Sequence, residues 1–139
     1  MVDSAEVVDK VGDITDCFHS QGKVNKEILQ VGRNIDKPKM GSLCRIKYIA
    51  YFYDKEIFDC RVEETPVDIY LGDIKLIEGM WRGIMEMRVG EKAKIKIKKK
   101  FAFGRPGEID KLDFPPGFEA GEKREKLVSK NVIYEIELV

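Results

Sequence analysis

One segment of this chain has the spacing of an amphipathic helix, and the other apolar segments alternate with polar residues as strands do. The helical segment ends before Gly90, and its apolar residues recur at i, i+3, i+4 and i+7: Ile77, Met80, Trp81, Ile84 and Met87. A chain with one helix cannot form a helical bundle, so a sheet must supply most of the core. The sequence therefore predicts an α+β fold in which an antiparallel sheet wraps around one helix.

The strands are predicted from the alternation of apolar and polar residues. The clearest strand lies in residues 91–100, where Ala93, Ile95 and Ile97 share one face and lysines occupy the other. Alternating or β-branched runs predict further strands over the following ranges: 24–31, 43–53, 57–60, 67–71 and 132–139. Asp54-Lys55 is predicted as a hairpin turn. The highly charged residues 117–130 are predicted as a solvated loop, with a partner-binding surface as the alternative.

The composition limits the classes of function. The chain has 139 residues, which suits one domain with one core. Lys plus Arg and Asp plus Glu each number 25, and this zero net charge argues against a dedicated nucleic-acid-binding protein. The chain has one histidine, which disfavours a histidine-based metal site or catalytic triad. Its three cysteines lack metal-like or redox-like spacing, so we expect reduced thiols. No apolar run is long enough to span a membrane. Residues 1–10 lack the apolar core of a signal peptide, so we expect a cytoplasmic protein, with the nucleus as an alternative compartment.

The amino-terminal residues differ from the rest of the chain. Residues 1–22 are predicted as an acidic extension and residues 23–139 as the folded domain. Apolar residues recur in the extension at helix-like spacing, but Gly12 and several β-branched valines disfavour a helix. Two interpretations stay open: an arm packed on the domain, or a helix that docks on a partner.

A series of short motifs along the chain is specific when the motifs are taken together. They occur in this order: Phe58-Asp59, Pro66, Leu71-Gly72, Ile77, Gly79, Gly83, Met87–Glu91, Phe101–Gly104, Phe114–Pro116 and Tyr134–Leu138. In this order and at these separations, from about residue 22 to 139, the chain resembles the FKBP-type immunophilins. The resemblance implies a half-barrel of five or six antiparallel strands around one short helix. It also implies peptidyl-prolyl cis/trans isomerisation without metal or cofactor, and a protein or a proline-containing peptide as partner.

The resemblance also assigns a pocket for the prolyl ring. Its candidate residues are Tyr48, Phe58, Asp59, Val67, Leu76, Ile77, Met80, Phe103, Phe114 and Tyr134. Asp59 and Tyr48 are the polar candidates for a role in catalysis. A mostly apolar pocket suits this reaction, because the amide loses its partial double-bond character as it twists over a barrier of about 18–20 kcal/mol.

Two positions depart from the family pattern. The family has tryptophan directly after the glycine that begins the helix, but here that residue is Met80 and Trp81 follows it, about 100° further around the helix. The spacing from Gly79 to Gly83 equals that of the family, which fixes the register. Phe103 stands where the family has a tyrosine that donates its hydroxyl to the ligand. The two changes together predict weak or absent isomerase activity and a role in protein binding.

The methionine after Gly79 and the run Met87–Glu91 also resemble the Shutdown-type germline immunophilins. In that group an inactive immunophilin domain precedes a TPR domain, which recruits the ninety-kilodalton heat-shock chaperone in small-RNA silencing of transposons. The resemblance implies a co-chaperone whose chaperone-binding region would lie beyond Val139. The alternative is an active isomerase acting on X-Pro bonds. A lesser alternative is a nucleic-acid contact through the lysines of Lys92–Lys100, which can hold phosphates.

Overall fold

The computed structural model describes residues 9–62 and 66–139 of the chain. Within them, seven antiparallel strands form one open sheet: β1 (Ile14–Asp16), β2 (Val24–Gln30), β3 (Leu43–Phe52), β4 (Ile57–Arg61), β5 (Val67–Tyr70), β6 (Lys92–Ile97) and β7 (Val132–Leu138). The strand order is β1-β2-β6-β7-β3-β4, and β5 pairs with the other end of β3. Two α-helices, α1 (Glu78–Ile84) and α2 (Gly121–Val128), complete the fold. The predicted α+β class is confirmed, with seven strands instead of five or six and two helices instead of one.

The alternating strands bury one face each against α1, as the sequence predicts. In β6, Ala93, Ile95 and Ile97 are fully buried, and the intervening lysines reach solvent. In β7 the next layer of the core is formed by Tyr134 and Ile136, which lie opposite Ile95 and Ala93 in the register of the two strands. The core therefore lies between the concave face of the sheet and the helix.

Two glycines allow α1 to lie very close to β6. A Cβ atom added to Gly79 would lie 2.3 Å from a methyl carbon of Ile97, and one added to Gly83 would lie 2.4 Å from Ile95. No side chain larger than hydrogen fits at either position without moving the helix away from the strand. These glycines, one helical turn apart, therefore fix the distance and rotation of α1 and with them the direction of Met80.

An ion pair that the sequence analysis missed is buried beside the helix. The Lys26 ammonium lies 2.7 Å from the Glu91 carboxylate, and both side chains are almost fully buried, at 4% and 0% exposure. Lys26 also donates to the Glu86 carbonyl at 2.6 Å, and Glu91 accepts the Arg88 backbone N–H at 3.1 Å. These bonds connect β2 to the segment that leads from α1 into β6.

The charged segment 117–130 is a loop only in part, which corrects the prediction. Residues 121–128 form α2, because tertiary contacts stabilise a helix that has a single fully buried side chain, Leu127. Lys126 forms an ion pair with Glu56 at 2.6 Å and lies over the Phe52 ring at 5.1 Å. Phe118, just before the helix, packs edge-on against Phe58 at 6.0 Å between ring centroids.

The amino-terminal segment contributes to the sheet. Residues 14–16 form β1, which pairs antiparallel with β2, and the following Cys17 is fully buried. Residues 9–22 contain turns and this strand instead of a helix, so the described part agrees with an arm packed on the domain. The part of the predicted extension in residues 1–8 lies outside the described residues.

Candidate functional site

A cavity of about 320 Å³ opens between α1, the ends of β3, β4 and β5, and the loop around residue 114. Its size falls at the lower end of the range for sites that hold a small ligand or a single peptide residue with its neighbours. Nine of the ten predicted pocket residues line it: Tyr48, Asp59, Val67, Leu76, Ile77, Met80, Phe103, Phe114 and Tyr134. The fold therefore brings together residues that are up to 86 positions apart, from Tyr48 to Tyr134.

Phe58 is the predicted residue that does not line this cavity. Its ring packs edge-on against Phe103 and Tyr134, with centroids 6.2 and 6.0 Å apart, and against Phe52 at 4.9 Å. Phe58 therefore supports two wall residues from behind. The family resemblance assigned Phe58 to the wall itself, and it cannot specify how deep a side chain packs in this particular chain.

The structure places methionine, and not tryptophan, in the cavity wall. Met80 is buried, with 4% of its surface exposed, and lines the cavity together with Ile77 one helical turn earlier. Trp81 is half-buried on another side of α1, where the Arg82 guanidinium lies 5.7 Å from its ring centre. This is the arrangement that the rotation of about 100° per residue predicts.

A tyrosine–carboxylate pair lines the cavity. The Tyr48 hydroxyl donates to the Asp59 carboxylate at 2.6 Å, and Arg61 lies 3.5 Å from the other oxygen of the same carboxylate. Burial, and then the hydrogen bond to Asp59, raise the pKa of Tyr48 far above its usual value. Burial likewise raises the pKa of Tyr134, whose ring centre lies 5.5 Å from that of Tyr48. Both phenols therefore stay neutral at physiological pH.

Phe103 presents a ring without a donor to the cavity. It is buried and stacks at a tilt on Phe114, with 5.3 Å between centroids. The loop that carries Phe114 is held in place because the backbone N–H of Asp113 donates to the Lys75 carbonyl at 2.9 Å. A site with these walls offers an apolar volume and one fixed carboxylate, a combination suited to binding a prolyl ring and its neighbouring amide.

The sequence analysis did not identify the charged rim of the cavity. The rim includes Asp68, Asp73, Lys75 and Asp113, all of which are exposed. Since each lies in a turn or at a strand end, its side chain resembles ordinary solvated surface in the sequence. Only the approach of β5, the turn before α1 and the loop around residue 114 places these groups around one opening.

Two of the three lysines of β6 lie opposite carboxylates on the neighbouring strands. In the strand register Lys92 lies opposite Glu137, and Lys94 lies between Glu135 and Glu27. Lys96 instead lies between Asn25 and Ile133, so carboxylates on the neighbouring strands offset only part of the charge that phosphate binding would need. Across residues 9–62 and 66–139, no group of three or more His, Cys, Asp or Glu side chains could hold a metal ion. No helix in the same part of the chain is long and apolar enough to cross a membrane.

A family model described as "FKBP-type peptidyl-prolyl cis-trans isomerase" matches residues 35–139. The chain therefore belongs to the FKBP-type peptidyl-prolyl cis-trans isomerase family. A curated relative, "FK506-binding protein 1A" of Aspergillus fumigatus, is 29% identical over 117 residues, which cover 84% of this chain and 92% of the relative. "Peptidyl-prolyl cis-trans isomerase FKBP11" of Bos taurus is 30% identical over 99 residues, which cover 66% of this chain and 46% of that protein.

Solved structures of multi-domain proteins share the fold. This chain aligns with the crystal structure of the three FKBP domains of wheat FKBP73 with a TM-score of 0.70 and 24% identity. The alignment covers 91% of this chain and 48% of that chain. A multi-domain immunophilin from Arabidopsis thaliana aligns with a TM-score of 0.68 at 25% identity, covering 96% of this chain and 47% of that one. This chain thus spans about half the length of each of these two plant chains.

Proposed function

We propose that this domain binds proline-containing segments of proteins and catalyses their isomerisation weakly or not at all. The observation that carries the proposal is the identity of the residue on α1 that lines the cavity, Met80, with Trp81 turned to a different side of the helix. The apolar volume that would receive a prolyl ring is retained, so binding remains supported. The flat aromatic surface that would hold the ring while the amide twists is missing.

Two physical differences lower catalysis more than binding. A thioether side chain is flexible and polarisable, so it fills space beside a prolyl ring but does not fix its orientation as an indole does. Phe103 cannot donate a hydrogen bond to the carbonyl of a bound amide. A neutral hydrogen bond contributes about 0.5–1.5 kcal/mol, or up to roughly tenfold in affinity for the state that makes it. An enzyme gains rate only from contacts that strengthen in the transition state, and both lost contacts belong to the reacting unit.

An active isomerase is the second candidate, and a specific observation favours it. Tyr48 and Asp59 keep their 2.6 Å hydrogen bond within the cavity wall, and Ile77 and Phe114 close its sides. An aromatic and aliphatic floor with one fixed carboxylate would still favour the twisted amide, because desolvation stabilises its less polar form.

Restoring the two missing groups tests both candidates. We expect the unaltered chain to bind a proline peptide without accelerating its isomerisation above background, and Met80→Trp with Phe103→Tyr to raise kcat/KM by about tenfold or more. Met40→Trp with Phe101→Tyr is the matched control, since it adds the same groups at residues that do not line the cavity. Isomerisation is measured by protease-free NMR exchange, and binding by calorimetry.

The outcomes separate the two candidates. Isomerisation by the unaltered chain at a rate that the restoration hardly changes would support the active enzyme. A restored double variant that binds the peptide but gains no activity would contradict the assignment of the missing indole and hydroxyl as the cause of weak catalysis.

We also propose a finer role, a co-chaperone of the Shutdown type, active in the cytoplasm, with the nucleus as an alternative compartment. Its support is the sequence resemblance at Gly79-Met80 and Met87–Glu91. In this role the domain holds a client, and a TPR region beyond Val139 binds the ninety-kilodalton heat-shock chaperone in small-RNA silencing. A binding assay between the purified chaperone and the full-length gene product tests it, with the present 139 residues as the non-binding control. Equal chaperone binding by both would refute this division of roles.

A further inference from the structure

A second groove lies beside the cavity and contains the tryptophan that the pocket lacks. The groove has a volume of about 180 Å³, and its apolar lining consists of Ile74, Leu76, Trp81, Ala102 and Leu112. Asp73 and Leu76 line both the groove and the main cavity, so a wall about one side chain thick separates the two. Because sites for whole small molecules usually occupy about 300–1,000 Å³, a groove of this size suits one side chain.

The indole is held in position by its neighbours on α1. The Arg82 guanidinium lies over the Trp81 ring at 5.7 Å, and the same Arg82 forms an ion pair with Glu78. Glu78 in turn forms an ion pair with Arg105 from the loop on the far side of the groove. Arg82 is not among the residues that line the groove, so its contact with Trp81 does not fill it. Glu78 and Arg105 line the groove themselves, so the network orients the indole and forms a charged part of the groove's lining.

The lining of the groove combines apolar side chains with the charged side chains of Asp73, Glu78, Arg105 and Glu108. Ile74 is 68% exposed at the tip of the turn before α1, and Trp81 and Leu112 are half-buried. Tyr70, at the mouth of the main cavity, is 58% exposed. An apolar side chain that enters the groove would cover part of the exposed surface of Ile74, Trp81 and Leu112, and burial of apolar surface is the main favourable term in association.

We propose that this groove is a second subsite that takes an aliphatic or aromatic side chain from the same peptide whose proline occupies the main cavity. The inference rests on the proposed binding of proline-containing segments, and continuity with that cavity identifies the occupant. Two residues of extended chain span about 7 Å, enough to cross a wall one side chain thick. The preferred segment therefore carries an apolar residue two or three positions from its proline, and Trp81 serves sequence selection instead of prolyl stacking.

Trp81 is the single tryptophan of the chain, so its fluorescence reports on the groove directly. The probes are an acetylated, amidated peptide of alanines with one central proline, and four versions with leucine two or three residues before or after that proline. We expect at least one leucine version to bind about tenfold more tightly, the order expected when a leucine side chain leaves water. That version also shifts Trp81 emission to shorter wavelength. The alanine version binds without this shift, because Trp81 does not line the main cavity.

Two matched variants test whether the gain in affinity from leucine arises in the groove. Ile74→Asp should abolish the gain from leucine and the emission shift. Ile14→Asp, at a 70% exposed position on β1, should keep both. Because both positions are exposed, neither change should unfold the domain.

Each outcome decides the proposal. Equal affinity of the leucine and alanine peptides, or a leucine gain that survives Ile74→Asp, would refute the second subsite and leave the proposed prolyl binding intact. Binding of the proline peptides no tighter than that of an all-alanine peptide would refute both.

Discussion

Replacing Lys26 by methionine removes the cation from the buried ion pair that joins β2 to the segment after α1. The pair measures 2.7 Å, and its side chains are 4% and 0% exposed. Removing one partner of such a pair leaves an uncompensated buried charge, here the carboxylate of Glu91. We therefore expect Lys26→Met to lower the free energy of unfolding by about 3–5 kcal/mol. A domain of this kind has a total stability of about 5–15 kcal/mol, so the loss is a large fraction of it.

The surrounding bonds determine what a double replacement does. Elsewhere, exchange of both members of a buried pair for apolar residues is often neutral or stabilising. Here Lys26 also donates to the Glu86 carbonyl, and Glu91 accepts from the Arg88 backbone N–H. The double variant Lys26→Met with Glu91→Leu leaves the Glu86 carbonyl and the Arg88 N–H without these hydrogen-bond partners. Each backbone group left unsatisfied lowers the free energy of unfolding by about 1–3 kcal/mol. We therefore expect the double variant to remain less stable than the unaltered chain.

The assay is urea unfolding followed by Trp81 fluorescence. For a slope of about 2 kcal/mol per M, the midpoint of Lys26→Met falls by about 1.5–2.5 M. Arg45→Met is the matched control, since Arg45 pairs with Asp68 at 3.0 Å while their side chains are 68% and 46% exposed. Exposed pairs contribute about 0–1 kcal/mol. If Lys26→Met lowers stability no more than Arg45→Met does, the reasoning from burial is refuted.

Two further predictions follow from the core. Gly83→Ala places a Cβ 2.4 Å from Ile95, and we expect this overpacking to lower stability by about 1–3 kcal/mol, so an unchanged Tm in calorimetry would contradict the close approach of α1 to β6. Burial raises the pKa of the Cys17 thiol from 9.0 to about 12, so the folded chain holds this proton more tightly than the unfolded chain does. The contribution of Cys17 to stability is therefore complete below pH 9 and declines as the pH rises from 9 to 12. Between pH 8 and pH 10.5, urea unfolding should show a smaller loss in the free energy of unfolding for Cys17→Ala than for the unaltered chain. Equal losses in the two chains would count against this assignment.

The amino-acid sequence by itself determined the elements with strong periodicity. The alternation in residues 91–100 and 132–139 fixed which face of β6 and β7 is buried, because successive side chains of a strand point to opposite faces. The helical spacing around Gly79 and Gly83 likewise determined that Met80 and Trp81 point in different directions. Nine of the ten residues that the family resemblance assigns to the pocket line one cavity, because the chain shares the fold of that family.

The tertiary structure decided the features that depend on distant partners. Segment 121–128 is helical because Leu127 and Lys126 find contacts elsewhere in the fold, although its charged sequence predicts a solvated loop. Alternation in β2 places Lys26 on the inner face beside Val24 and Ile28. That signal marks a buried cation, but it does not identify Glu91, 65 positions away.

The second groove likewise depends partly on the sequence and partly on the tertiary structure. The sequence indicates that Trp81 cannot occupy the pocket, but only the packing of the turn before α1 against the loop of residues 102–112 creates the surface beside it. Helices and strands can be predicted from the amino-acid sequence because backbone geometry sets the period at which their side chains recur on one face. Which of these elements meet is set by packing among side chains far apart in the chain.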